Sequence, residues 1–101
     1  MEKAQACLTS VGLDEKQFKI SSSGILNGIL EGNCWLAISR CLLYPDPIEH
    51  RFIVGYQESP QNRREVLLEY GLSDQNAEKI IALASILPEQ YSIVIRRVKI
   101  A

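Results

Sequence analysis

The stretch from Gly24 to Tyr44, GILNGILEGNCWLAISRCLLY, is the most apolar part of the chain and limits its fold more than any other. Its length and its glycines at 24, 28 and 32 suit a membrane-spanning helix with a small-residue packing stripe. Glu31 and Arg40 remove that option. A charge near the centre of a spanning helix costs about 2.5–3.5 kcal/mol, while a leucine or isoleucine returns only about 0.3–0.6 kcal/mol. Glu31 alone offsets several leucines, so no membrane is expected as a partner. What remains is a pair of elements joined at Glu31-Gly32-Asn33.

The serines at 21–23 and the glycines at 24 and 28 penalise a helix over Phe18–Leu30, each glycine by roughly 1 kcal/mol. A first strand is expected there, with Gly24 and Gly28 marking bends or close backbone approach within it. Gly32 suits a hairpin loop, where positive φ is needed. Cys34–Tyr44 fits a helix capped by Asn33 and ended by Pro45, and it also fits a strand. The strand accounts better for Leu36, Leu43 and Tyr44, because a strand covered on both faces takes apolar residues at every position.

The rest of the chain is patterned more plainly. Ala4, Cys7, Leu8 and Val11 form one helical stripe over residues 2–12, stopped at Gly12. Residues 50–56 alternate as a strand, with Phe52, Val54 and Tyr56 opposed to Arg51, Ile53 and Gly55. Ser59-Pro60 would open a helix running to Tyr70, with Gly71 as its stop, and Ser73 would cap the next. That next helix carries Ala77, Ile80, Ile81, Ala84 and Leu87 on one stripe and stops at Pro88. Tyr91–Ile100 is β-branched and apolar on both faces of its first half, which suggests an interior strand. The expected order is α–β–β–β–α–α–β, an α+β fold. Its antiparallel meander would have helices packed on one face and the last strand added beside it, as a single compact domain over residues 1–101.

Composition narrows the function. The chain has 101 residues, 47% hydrophobic and 23% charged, with 11 basic and 12 acidic groups and a net charge of −1. Such a balance disfavours a partner held by phosphate charge, so nucleic acid is not expected. The one locally basic run, Ile95–Ile100, reads as a solvated strand face. The two helices around Glu69–Ile81 have helix-turn-helix turn chemistry, but Asp74 and Glu78 would make the second helix acidic at its start. Ser21–Gly24 lacks the lysine and glycine spacing of a phosphate loop. Cys34 and Cys41 are too far apart for a zinc knuckle, and His50 is the single histidine, so neither metal nor cofactor is expected. Three cysteines without a secretory leader suggest free thiols in a reducing compartment, the cytoplasm.

One local pattern points to chemistry. Gly32–Ser39, GNCWLAIS, resembles the surroundings of the nucleophile in papain-like cysteine proteases, where Cys-Trp opens a helix. His50–Tyr56, HRFIVGY, is similar to the strand that carries the histidine in that family. The resemblance implies Cys34 as nucleophile and His50 as base, in a thiol-dependent enzyme. The spacing implies otherwise. A helix from Cys34 to Tyr44 would be about 15 Å long, and a Tyr44–Glu49 hairpin would set His50 opposite Leu43. Either way His50 emerges far from Cys34, whereas such a pair must lie about 3 Å apart.

The leading expectation is therefore a protein-binding or regulatory domain without catalytic activity. A specific chaperone, an adaptor or an immunity-type inhibitor fits by size and architecture, and a homodimer is one form such binding takes. Trp35, Tyr44 and Tyr56 are candidate contact residues because aromatics concentrate at interfaces, and Arg96 and Arg97 join them as the exposed basic pair.

Overall fold

The computed structural model describes residues 2–40, 50–54, 62–88 and 90–98. Helix α1 spans Glu2–Ser10 and is followed by a 3-10 turn at Glu15–Gln17. Strands β1 (Phe18–Ile20), β2 (Leu26–Ile29), β3 (Cys34–Ser39) and β4 (His50–Val54) come next. Helices α2 (Arg63–Glu69) and α3 (Asp74–Ile86) then precede β5 (Ser92–Arg97). The five strands form one antiparallel sheet in the order β1-β2-β3-β5-β4. The fold is α+β, with an antiparallel sheet and its helices on one side.

The core lies between that side of the sheet and the helices. Facing residues in adjacent antiparallel strands share a face. The register therefore lines up Leu26 with Ile38 and Ile93, and Gly28 with Leu36, Ile95 and Arg51. The apolar members of this set, with Ile53, are buried against Ala4 and Leu8 of α1, Val66 and Leu67 of α2, and Ala77, Ile80 and Leu83 of α3. Each such aliphatic side chain contributes about 1.5–3 kcal/mol when fully buried. Gly28 sits where β1 crowds β2. A Cβ there would lie 2.2 Å from the Gln17 carbonyl oxygen, so this close approach admits only glycine.

Helix α2 ends at Gly71 with φ 97°, and the Gly71 and Leu72 amides donate back to Leu68 O and Leu67 O. This left-handed cap turns the chain directly into the Ser73 cap of α3, where the Ser73 hydroxyl accepts from the Asn76 amide at 3.2 Å. The expected turn at Glu31–Asn33 is present as a 3-10 turn with Gly32 at φ 65°. It docks onto the α2–α3 turn: a Cβ on Gly32 would lie 2.4 Å from Gly71 O. The Glu31 carboxylate accepts from the Ser73 amide and from the Asn76 side chain.

Four expectations change. The first strand is a hairpin, because Ser21 N donates to Ile25 O, Gly24 N donates to Ser21 O, and Gly24 takes φ 82°. The serine hydroxyl adds to the turn by accepting from the Ile25 amide, which diverts the backbone from a continuous ladder. The last strand does not join beside the meander; β5 inserts between β3 and β4. Ile93, Val94 and Ile95 are all buried, and only an interior strand hides both faces. His50 consequently pairs with Arg96, and Leu43, its expected partner, lies outside the described residues. Finally, the α-helical turns of α2 begin at Arg63, after Asn62, whose φ −107° and ψ 12° are not helical and whose side chain makes no cap. Ser59-Pro60 lies outside the described residues, as do Cys41–Tyr44 of the expected second strand and Lys99–Ile100 of the last.

Candidate functional site

Strand alternation gives the sheet a second face, turned away from the helices. On it lie Lys19 of β1, Asn27 and Ile29 of β2, Trp35, Ala37 and Ser39 of β3, and Ser92, Val94 and Arg96 of β5. The two ends of this face differ. Ala37, Ser39 and Val94 are buried. The row Ile29–Trp35–Arg96 is not: Ile29 is 50% exposed, and Trp35 and Arg96 are half-buried.

That row is built from register and side-chain contacts together. Ile29 faces Trp35, and Trp35 faces Arg96, across successive strands. The Arg96 guanidinium lies over the indole, 4.5 Å from the ring centroid, a cation–π contact. The indole N–H donates to Asn27 Oδ1 at 3.3 Å, and the Asn27 amide in turn donates to Lys19 O and Ile25 O. Asn27 thus ties the orientation of Trp35 to the β1–β2 hairpin. The result is an apolar side chain, an aromatic ring and a cation in line, spanning roughly 10 Å over two strand spacings. The described strand positions of this face hold no carboxylate.

The other residues singled out in the sequence lie elsewhere. Arg97, one residue on from Arg96, faces the helices. It donates to the Glu69 carbonyl at the end of α2 and lies 5.4 Å from the Tyr70 ring centroid. A cation there satisfies a terminal helix carbonyl and complements the helix dipole. Cys34 faces Arg97 across β3 and β5 and is 0% exposed. Burial pushes its thiol up to about 11, against a smaller downward pull from Arg97. His50 pairs with Arg96 and so takes a register position on the opposite face from Cys34, with β5 between their strands. The sheet does not bring the two together. Tyr44 and Tyr56 lie outside the described residues.

Sequence reasoning did not single out Asn27 or Ile29. The signal for Asn27 was a polar residue inside an apolar strand. Ile29 became visible only once the Glu31–Asn33 turn set its register against Trp35. Among the described residues, no group of three or more His, Cys, Asp or Glu side chains could hold a metal ion, and no helix is long and apolar enough to cross a membrane. No family model, curated protein or solved structure matches the chain.

Proposed function

We propose that this chain is a protein-binding or regulatory domain without catalytic activity, and that it docks through the open end of its outer sheet face. The observation that carries this reading is the row Ile29–Trp35–Arg96. It is an exposed aliphatic side chain beside an aromatic ring held in place by Asn27 and Arg96. Aromatic and arginine side chains anchor protein interfaces, and an ordered anchor loses little entropy on binding. Burial of the Cys34 thiol agrees with a structural role for that residue and with the reducing, cytoplasmic setting proposed for three thiols. An adaptor, a specific chaperone or an inhibitor of one target are the roles that suit a domain of this size, with a second copy of the chain among the candidate partners.

The test is photo-crosslinking in native cells with a reactive group placed at position 29, and a control group at Leu68, an exposed residue of α2. A discrete adduct formed from position 29 and not from 68 is the expected result. Equal adducts from both positions, or none from 29, would overturn the assignment of this face.

A further inference from the structure

The charges of the described residues are sorted by side of the sheet. The outward strand positions carry Lys19 and Arg96 and no carboxylate. Carboxylates paired in the structure belong to the helix side and its rim: Asp74 and Glu78 with Arg64, and Glu31 with Ser73 and Asn76. The arginines are sorted too. Arg40 donates to the Tyr91 hydroxyl, Arg64 to Asp74, and Arg97 to the Glu69 carbonyl, while Arg63, on α2 and not on the outer sheet face, has a buried Nε without an acceptor. Arg96 lies against the indole, and its Nε is buried without an acceptor. The ring contact covers one side of the guanidinium and Nε is enclosed, so its terminal Nη groups, which have no acceptor among the described residues, are the atoms a carboxylate would meet.

Resting on the docking face proposed above, we infer that its occupant is an acidic protein segment that sets a carboxylate against Arg96 and an apolar side chain against Ile29. Charge complementarity selects this occupant. The chain as a whole is at −1, so attraction to an acidic partner is local to this face. A single-stranded nucleic acid could also stack on an indole beside an arginine, but it would meet a chain with 12 acidic groups and, among the described outward positions, two lysine or arginine cations. A carboxylate needs only one of them. The footprint is short: about 10 Å separates the two anchors, the span of three or four residues of an extended peptide.

Trp35 is the single tryptophan of the chain, so its fluorescence reports on the site directly. The experiment titrates the full chain with three soluble peptides that alternate leucine with aspartate, serine or lysine, and with an oligouridylate. The Asp-Leu peptide should shift Trp35 emission saturably and bind tighter than the other three, with affinity falling as salt rises. Arg96→Gln should weaken it roughly tenfold or more, the scale of a lost charge-assisted hydrogen bond. Arg96→Glu should transfer the preference to the Lys-Leu peptide. Both variants should keep the wild-type circular dichroism spectrum, since the side chain lies on the outer face, away from the core between sheet and helices. If the serine or lysine peptide binds best and Ile29→Ser abolishes that binding, the acidic occupant is overturned while the docking face stands. Preference for oligouridylate also overturns it. If no ligand alters Trp35 emission, the acidic occupant fails. The photo-crosslinking result at position 29 then decides separately whether the face docks anything.

Discussion

The two faces of the sheet are written by the same five strands, yet they are different surfaces. In β3 alone, Cys34, Leu36 and Ile38 turn toward the helices, while Trp35, Ala37 and Ser39 turn away. The helix side is hydrocarbon at its centre, with Arg51 and Arg97 at its edges. The outer side is small in the middle and half-open at one end, where an aromatic and a cation are stacked. The core side is determined by packing, because each residue there has neighbours that cannot move away. The open row of the outer side is determined by directed contacts, an indole N–H to an amide and a guanidinium to a ring. One side should therefore govern stability and the other should govern recognition, and substitutions can test that division.

The largest effect is expected from Leu36→Ala. The side chain is fully buried in the core, and truncation of such a leucine costs about 2–5 kcal/mol. Urea unfolding should show the midpoint falling with little change in slope. A loss below about 1 kcal/mol would mean that the helix side is not the packed core described here. Cys34 gives the chemical counterpart. With its thiol moved from 9.0 to about 11 by burial, its thiolate fraction at neutral pH is roughly a hundredfold below that of an ordinary cysteine. Alkylation of Cys34 should stay slow from pH 5 to 9, without a plateau, until denaturant exposes it. Rapid labelling that levels off below pH 8 would reveal a depressed thiol and would favour a thiol enzyme over a binding domain.

Much of this division can be read in the sequence, and the parts that cannot have a common cause. The stripe of α1, the Gly71–Ser73 turn, the turn at Gly32 and the strand beginning at Cys34 are all local features, set by periodicity and turn chemistry. Ser21–Gly24 is local too, but strand and turn preferences compete there, and the serine hydroxyl tips the balance to a hairpin. Placement of β5 is not local. Ile93–Ile95 announce an interior strand, yet no pattern within them names β3 and β4 as the neighbours. The site inherits that gap. Trp35 and Arg96 are each conspicuous in the sequence, but they meet only because β5 inserts beside β3. Arg96 and Arg97 look equivalent in the sequence, and a single step of strand alternation sends one outward and the other onto the end of α2.

Glu31 sits at the rim between the two regimes and gives a smaller, pH-dependent effect. The Ser73 hydroxyl and backbone amide, and then the Asn76 side chain, favour its carboxylate and hold it below the ordinary value of 4.5. A carboxylate lowered in the folded state adds stability above its unfolded value, and that contribution disappears as pH falls through the folded value. Glu31→Gln should therefore be less stable than the wild type at pH 7. The two stability curves should converge as pH drops below about 4.5, where the wild-type carboxylate begins to lose its advantage. A difference that stays constant down to pH 2 would show that the loss is one of shape at the Gly32–Gly71 contact and not of charge.

The smallest effect on stability is expected from Ile29→Ser, and it is the sharpest test of the division. Ile29 occupies a strand flanked on both sides, so a packing role would be the ordinary assumption. Its side chain is half in solvent, however, and it rests beside a ring that Asn27 and Arg96 already hold. Exchanging it for serine removes only the half of its surface that is buried and leaves no polar group stranded, so the unfolding free energy should fall by about 1 kcal/mol, well short of Leu36→Ala. Apolar contact with a partner would fall too, because an aliphatic side chain enclosed on binding contributes on the scale of its whole exposed surface. A variant that stays folded and no longer docks separates recognition from folding at a single residue. If Ile29→Ser instead lowered stability as far as Leu36→Ala, the open row would be part of the core and the outer face would have to be read as structure.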